Sequence, residues 1–303
     1  MSVATNEETD FIVVGAGSAG CVLANRLSEN GRHSVALLEA GPRDHNFWIH
    51  LPIGYGKTMW DARVNWQFET EPEPSMKGRR IYWPRGRVLG GSSSINGLIV
   101  IRGQAADYDA WRQLGNEGWG WDDVLPYFRK LETNSNFPGD PLHGDGGPLH
   151  VSSIGAKHPI IEAVIAAAGR LGVPRNPDFN GAQQEGVGYY QLTTHRGWRQ
   201  STAVAYLRPA QKRPNLRVIC HAVATRLIFE GKRASGIEYS TQGSLHRLKA
   251  RRGIVLAAGA VQSPQLLMLS GIGPASHLAD MGVLPFVDLP GVGGNLQDHL
   301  QLR

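Results

Sequence analysis

Short apolar runs near the start of the chain follow the pattern of strands buried inside a sheet. Residues 11–14 and 34–38 are almost entirely apolar, and the stretch 21–27 between them has apolar residues at helical spacing. Continuous apolar runs bounded by turn residues are typical of strands covered on both faces, as in parallel sheets. Residues 10–41 are therefore predicted to form a strand, a helix and a second, parallel strand.

Strand-like patterns return in the last third of the chain. The run 253–259 is continuously apolar and ends in glycine, which predicts a parallel strand that rejoins the first sheet. A helix is predicted to begin at Ser263 and Pro264, because proline is favoured in the first helical turn. Four shorter stretches predict an inserted β-meander: 216–221, 224–229, 235–240 and 246–250.

The middle of the chain is less regular. Residues 42–85 hold many aromatic side chains separated by proline and glycine, which favours irregular structure. A strand-like stretch covers residues 186–194. Helices are predicted for residues 122–132, 159–171 and 201–210.

Between the first strand and the first helix, the sequence Gly15-Ala-Gly-Ser-Ala-Gly20 has the spacing of a dinucleotide-binding turn. Gly15 permits a tight turn, Gly17 lets the backbone approach a diphosphate, and Gly20 lets the helix pack close to the strand. The helix start offers free N–H groups to phosphates, and Glu39, after the second strand, can accept hydrogen bonds from a ribose. A glycine-rich turn without a ligand is the alternative, and the motif alone does not select the dinucleotide.

A second glycine-rich segment, residues 86–97, supplies small side chains and many exposed N–H groups. Such a segment can lie flat against a planar ring and bind its polar atoms. The alternative is a flexible linker. Apolar residues such as Val88, Leu89 and Ile95 lie within the segment, and this composition argues against a linker.

Five segments, in the same order, resemble the glucose–methanol–choline (GMC) family of flavin-dependent alcohol oxidoreductases. They are residues 13–20, 38–41, 86–96, 259–273 and 291–299, and the match covers nearly the whole chain. Val100 departs from the family pattern, in which an aromatic residue is usual. The resemblance implies FAD rather than NAD as the cofactor.

The resemblance also implies a fold, a domain division and a set of site residues. The fold class is α/β, a Rossmann-like FAD-binding fold with an inserted β-meander and part of a substrate-binding layer. The implied domains are residues 1–154 (FAD-binding, first part), 155–215 (part of the substrate-binding layer) and 216–303 (FAD-binding, returning part). The implied cofactor-binding residues are Gly15, Gly17, Ser18, Ala19, Gly20, Glu39, Ala40, Val88, Gly91, Ser92, Asn96, Gly97, Val223, Gly259, Ala260, Asn295, Asp298 and His299.

By the same resemblance, the chemistry is transfer of a hydride from an alcohol carbon to flavin N5, while a base takes the hydroxyl proton. In the family, the catalytic histidine and a second His or Asn lie in a C-terminal segment. No residue here matches them, so the catalytic residues are expected beyond Arg303. The chain is therefore predicted to be a C-terminally truncated, N-terminal portion that is inactive by itself, and His299 is predicted to contact the flavin rather than to act as the base.

Some family members attach the flavin covalently through a histidine in the second glycine-rich segment. The corresponding residue here is Ile95, which has no nucleophile, and no His or Cys occurs between Gly86 and Gly97. FAD is therefore predicted to bind non-covalently. The implied partners are a small-molecule alcohol and an electron acceptor, either oxygen or a quinone-type carrier.

Composition narrows the remaining function classes. The net charge is +5, but the basic residues are scattered, so nucleic-acid binding is not predicted. No apolar run reaches the ~20 residues that a membrane-spanning helix needs, and the polar, acidic N-terminus lacks the features of a secretory signal. A cytoplasmic location is predicted, and peripheral association with a membrane is compatible with it.

The two cysteines, Cys21 and Cys220, indicate neither a disulfide scaffold nor a metal site. Two alternative functions remain open at this stage. One is an NAD(P)-dependent dehydrogenase, which the first glycine motif by itself permits. The other is a non-catalytic FAD-binding fragment, because no catalytic pair is recognised in the sequence.

Overall fold

A six-stranded mixed sheet forms the framework of the computed structural model, which describes residues 4–298. The spatial order of its strands is β3-β2-β1-β6-β5-β4. Neighbours are parallel from β3 to β6 and antiparallel from β6 to β4. The strands are β1 (Ala4–Val14), β2 (Val35–Leu38), β3 (Leu216–Ile219), β4 (Val223–Glu230), β5 (Arg233–Thr241) and β6 (Ser244–Leu256).

Five helices of at least two turns accompany the sheet and the intervening chain. They are α1 (Ser18–Ser28), α2 (Ala105–Gln113), α3 (Trp121–Leu131), α4 (Pro159–Arg170) and α5 (Gly259–Leu269). Shorter helices are Phe47–His50, Tyr55–Thr58, Arg208–Ala210 and Ala275–Asp280. Single 3₁₀ turns cover Pro52–Gly54, Pro74–Met76 and Gly91–Ser94, and a π-helical turn covers Ala203–Leu207.

Five small two-stranded sheets complete the secondary structure. Their pairs are Phe68–Glu69 with Tyr82–Trp83, Ile99–Val100 with Gln191–Leu192, Glu132–Asn134 with Leu149–Val151, Thr194–His195 with Trp198–Arg199, and Ile272–Gly273 with Val287–Asp288.

The predicted strand–helix–strand unit at the start of the chain is present as β1, α1 and β2. The residues of β2 and the last residues of β1 are buried, with Ile12 and Leu37 fully excluded from solvent. This is the burial expected of parallel strands that are covered on both faces. The predicted helices at 122–132 and 159–171 are found as α3 and α4, each within one residue of its predicted limits.

Two predictions about the returning strands are wrong. Residues 216–221 do not belong to the meander, because β3 pairs in parallel with β2 at the edge of the sheet. Residues 246–250 and 253–259 are not separate strands, because β6 runs from Ser244 to Leu256 without interruption. The meander is therefore β4, β5 and the first part of β6, and its last strand continues directly into the parallel part of the sheet.

A β-bulge allows β6 to continue through two arginines that interrupt its apolar pattern. The pairing of β1 with β6 shifts register between Thr9 and Phe11, opposite Arg251 and Arg252. Arg251 Nε donates to Asp10 Oδ1 at 3.0 Å. This guanidinium holds the pKa of the Asp10 carboxyl well below its usual range. A charged pair beside the bulge thus lies where the apolar pattern of the strand is interrupted.

The helix predicted to begin at Ser263 begins earlier, at Gly259. Gly259 has a φ of +87°, which turns the chain sharply at the end of β6. Ser263 Oγ accepts a hydrogen bond from Ala258 N–H at 3.1 Å and so stabilises the first turn. The helix therefore contains Pro264 in its interior rather than at its start.

Two further stretches of the middle region also differ from the prediction. In residues 186–194 only Gln191–Leu192 and part of Thr194–His195 are strand. Residues 201–210 form the π-helical turn and the short helix that follows it.

The described residues of the chain contain no helix with the length and apolarity to cross a bilayer.

The chain divides into two compact units. The first contains the residues up to His45, Lys57–Ile95 and the chain from Thr202 onwards, and the second contains Asn46–Gly56 and Asn96–Ser201. These limits lie away from the domain boundaries at 154/155 and 215/216, which stay predictions. Long-range strand pairing within the second unit, such as Ile99–Val100 with Gln191–Leu192, is what joins residues 96–154 to the residues after them.

A cluster of buried charges stabilises the second unit. The His143 imidazole lies 2.8 Å from Glu132 Oε1 through Nδ1 and 2.8 Å from Asp178 Oδ2 through Nε2. Arg102 Nη2 donates to the same Glu132 oxygen at 2.6 Å. Burial by itself lowers the pKa of His143, but the hydrogen bonds to both carboxylates outweigh it and raise that pKa to about 9. Two cations and two anions therefore compensate one another in a site from which water is excluded.

We expect this cluster to make the stability of the protein decrease at alkaline pH. A histidine whose pKa is raised from 6.5 to about 9 stabilises the fold fully below pH 6.5, and this stabilisation is lost as the pH rises to 9. The loss is up to about 3 kcal/mol of unfolding free energy. Urea unfolding at a series of pH values measures it. His143→Gln should flatten the profile across this interval, whereas His277→Gln, at an exposed histidine, should keep it.

A candidate cofactor site

A cavity of about 930 Å³ opens in the first unit at the carboxyl ends of the parallel strands. The terminal residues Val14 of β1, Leu38 of β2 and Leu256 of β6 all line it. In open α/β sheets, ligands bind in the crevice outside the carboxyl ends of the strands. The volume lies in the range of about 300–1,000 Å³ that is usual for small-molecule sites.

The first glycine turn connects β1 to α1 at the floor of this cavity. Gly15 has a φ of +95°, and a Cβ placed there would lie 2.6 Å from the Ala257 carbonyl oxygen. A Cβ on Gly20 would lie 1.8 Å from the Gly15 carbonyl oxygen. The backbone segments approach so closely here that neither position can hold a larger residue. Ser18 and Ala19, in the first turn of α1, face the cavity, where backbone N–H groups without helical partners can bind an anion.

The second glycine-rich segment packs directly against the first turn. Gly90 N–H donates to the Ala16 carbonyl oxygen at 2.7 Å. Gly91 has a φ of +53°, and a Cβ there would lie 2.7 Å from Gly17 Cα. The two turns therefore touch backbone to backbone, and Gly17, Gly91 and Ser92 line the cavity together. Such a cradle without side chains fits a group that the backbone must approach closely, as it must approach the diphosphate of a dinucleotide.

A hydroxyl holds the second turn in its conformation. Ser93 Oγ donates to the Gly90 carbonyl oxygen at 2.6 Å and accepts from Thr202 N–H at 3.0 Å. Thr202 is buried and directly precedes the π-helical turn. The returning chain therefore fixes the conformation of a turn whose two consecutive positive φ angles are readily adopted by glycine.

Glu39 is the only anionic side chain among the described residues that line the cavity. Its Oε2 accepts from Ala16 N–H and its Oε1 from Gly41 N–H, each at 2.9 Å. The residue is only 5% exposed, and its burial raises the pKa to about 7 even though these two hydrogen bonds act in the opposite direction. Each carboxylate oxygen keeps a second lone pair, so Glu39 can accept further hydrogen bonds from a ligand.

The structure brings most of the predicted cofactor residues to this one cavity. Of the predicted residues that do not line the cavity, Gly20 and Val88 are buried. Asn295 and Asp298 also lie outside the lining. Asn96 and Gly97 belong to the second unit, where Asn96 Oδ1 accepts from Arg199 Nη1 at 2.8 Å, and His299 lies outside the described residues. The predicted residues that line the cavity are Gly15, Gly17, Ser18, Ala19, Glu39, Ala40, Gly91, Ser92, Val223, Gly259 and Ala260.

Sequence reasoning missed several residues of the lining. Arg85 directly precedes the second glycine-rich segment, and its charge was the signal that could have selected it. Trp66 lies in a region rich in aromatic residues, for which the sequence predicted only irregular structure. The other polar residues that were missed are Thr225, Gln262, Ser263 and Gln265.

We expect Gly91→Ala to destabilise the first unit. The positive φ costs about 1–2 kcal/mol for a residue with a Cβ, and the contact with Gly17 adds a steric cost of about 1–3 kcal/mol. Chemical denaturation should therefore show a loss of at least about 2 kcal/mol in unfolding free energy. Gly291→Ala is the matched control, because a Cβ there meets nothing within 4 Å. Equal stability of the two variants would contradict the close contact between the turns.

Comparison with known proteins agrees with this architecture. The family model for GMC oxidoreductase matches residues 9–301. Mitochondrial choline dehydrogenase of Mus musculus is 48% identical over 303 residues, which is 98% of this chain and 51% of that protein. The chain thus spans about half the length of the curated relatives it matches.

Solved structures show the same fold. Pyridoxine 4-oxidase from Mesorbium loti superimposes with a TM-score of 0.89 at 36% identity, over 93% of this chain and 55% of that one. An FAD-dependent oxidoreductase from Chaetomium thermophilum gives a TM-score of 0.87 at 30% identity, over 93% and 51% of the two chains. The predicted resemblance and the predicted α/β fold class are confirmed. On the sequence match and the shared fold together, this chain belongs to the GMC oxidoreductase family.

Proposed function

We propose that this chain is the FAD-binding portion of an oxidoreductase that acts on the CH–OH group of alcohols. The observation that carries the proposal is the pair of interlocked glycine turns at the carboxyl ends of the parallel strands, with Glu39 buried beside them. The named activities of similar proteins, choline dehydrogenase and an FAD-dependent oxidoreductase, support the same class of chemistry.

The cavity suggests how the cofactor would be held. The first turn and the start of α1, at Gly15, Gly17, Ser18 and Ala19, would bind the diphosphate through backbone N–H groups. Glu39 would accept hydrogen bonds from the adenosine ribose. The remaining proposed contacts are Ala40, Gly91, Ser92, Val223, Gly259 and Ala260 in the lining, together with Gly20, Val88, Asn96, Gly97, Asn295, Asp298 and His299 from the family resemblance.

When bound, FAD supplies the acceptor for the hydride that leaves the alcohol carbon. The residues that line the cavity would bind and orient the cofactor. The base that takes the hydroxyl proton is proposed to lie in the C-terminal half of longer family members, and this chain is proposed to be inactive without it. Oxygen or a quinone-type carrier is the proposed electron acceptor, and the cytoplasm is the proposed location.

A non-catalytic FAD-binding fragment is the second candidate function. It is supported by the resemblance, which assigns residues of this cavity to cofactor binding and none of them to catalysis. An NAD(P)-dependent dehydrogenase is disfavoured, because the second glycine turn forms part of the same cavity wall and the dinucleotide motif alone does not account for it.

Titration of the purified chain with FAD tests the proposal. We expect saturable binding, and we expect Glu39→Ala to weaken it about tenfold or more, because a charge-assisted hydrogen bond contributes about 1.5–3 kcal/mol. Glu39 also ties together the backbone at Ala16 and Gly41, so unfolding free energies must be measured on the same samples. Glu230→Ala, at an exposed acid of β4, is the control and should bind FAD like wild type. Absence of FAD binding by the wild-type chain would overturn the proposal.

We also expect the bound FAD to be non-covalent. Ile95 is buried and offers no nucleophile, and the second glycine-rich segment contains neither His nor Cys. After loading with FAD and precipitation with acid, all the yellow colour should remain in the supernatant. Flavin that stays in the washed pellet would show that another side chain forms a covalent bond.

A further inference from the structure

Arg85 is the only cationic side chain among the described residues that line the cavity. The diphosphate of a dinucleotide carries negative charge, and Glu39 adds another negative charge to the same cavity when it is ionised. A cation in a partly dehydrated cavity attracts such a ligand much more strongly than a cation in water. The charge balance of the cavity therefore depends on one side chain that the sequence motifs do not include.

The Arg85 guanidinium is held on several sides. Its Cζ lies 3.8 Å from the centroid of the Trp83 ring, and Nη1 donates to the Pro84 carbonyl oxygen at 2.8 Å. Nη2 lies 3.8 Å from Asp298 Oδ2, and the same Asp298 oxygen accepts from Trp83 Nε1 at 2.7 Å. The backbone N–H of Arg85 donates to Asn65 Oδ1 at 2.9 Å. The side chain is 31% exposed, so the cation is positioned but still accessible.

Arg85 stands next to the part of the cavity that resembles a phosphate site. The following residue, Gly86, donates from its N–H to Ser92 Oγ at 3.1 Å, and a Cβ on Gly86 would lie 2.2 Å from the Gly91 carbonyl carbon. Gly91 in turn packs against Gly17 at the start of α1. The chain that carries Arg85 is thus in contact with the second turn, and the second turn is in contact with the first.

We propose that Arg85 binds the diphosphate of the dinucleotide, and that Asp298 and Trp83 position its guanidinium without contacting the cofactor. This inference rests on the proposed function and changes the role of Asp298, for which the family resemblance implied a cofactor contact. A carboxylate beside a diphosphate would repel it, whereas a carboxylate 3.8 Å behind the guanidinium orients the cation. Burial lowers the pKa of Arg85 and the Asp298 charge acts in the opposite direction. The guanidinium is therefore partly dehydrated before any ligand arrives.

Calorimetric titration of the purified chain with FAD, ADP and adenosine tests the inference. ADP carries the diphosphate without the flavin, and adenosine carries neither. We expect Arg85→Gln to weaken FAD and ADP about tenfold or more, as the loss of a charge-assisted hydrogen bond predicts, and to leave adenosine unchanged. Unchanged adenosine binding also shows that the variant is folded.

Arg85→Lys should restore part of the affinity, because it keeps the charge but loses the planar donor set. Arg63→Gln, at an exposed arginine paired with Asp61, is the matched control and should behave like wild type.

The role of Asp298 needs a separate comparison. A positioning residue should act only through Arg85, so Asp298→Asn should weaken ADP by a smaller factor in the wild-type background and have no further effect in Arg85→Gln. Equal effects in both backgrounds would overturn the positioning role.

ADP affinity within about twofold of wild type in Arg85→Gln, or a loss for FAD alone, would overturn the diphosphate assignment. If the wild-type chain binds neither FAD nor ADP, the proposed function fails and this inference fails with it.

Discussion

The candidate site depends on one backbone contact, between the turn that ends β1 and the turn at Gly90 and Gly91. Gly90 N–H bonds to the Ala16 carbonyl oxygen, and Gly91 lies against Gly17 with no room for a Cβ on its side. Because the two turns meet backbone to backbone, peptide N–H groups rather than side chains form this wall of the cavity. An anion bound there would meet dipoles that are already oriented, so little reorganisation would accompany binding.

Electrostatics in this cavity follow from the small number of charges. Glu39 is buried, and desolvation raises its pKa to about 7 even with two backbone N–H donors on its carboxylate. The same two hydrogen bonds tie the end of β2 to the glycine turn and to the chain that follows. Glu39 therefore combines a structural function with its proposed role toward the ribose. Ligand hydroxyls that donate to the carboxylate would favour its charged form and would offset part of the cost of burying it.

The second unit relies on a different kind of interaction. Its buried polar cluster joins Arg102, Glu132, His143 and Asp178, which are far apart in sequence and close in space. Each buried charge in this cluster depends on its partners, because removal of any one of them leaves an uncompensated charge. His143 takes part in ion pairs rather than in metal binding, because carboxylates contact both of its ring nitrogens.

The elements whose signals are local could be predicted from the amino-acid sequence alone. The β1–α1–β2 unit, the two glycine-rich segments, the acid after β2 and the helices α3 and α4 were all readable, because each depends on apolar spacing or on a turn that only glycine allows. The family resemblance extended these predictions to FAD and to eleven of the residues that line the cavity. Features that depend on residues distant in sequence are set by the tertiary structure. It placed β3 beside β2, carried β6 through Arg251 and Arg252 by means of a bulge and an ion pair, and joined residues 96–154 to later strands. It also brought Arg85, Trp83 and Asp298 together. The sequence could not predict this contact, because ion pairs and ring contacts between segments about 200 residues apart leave no pattern in either segment.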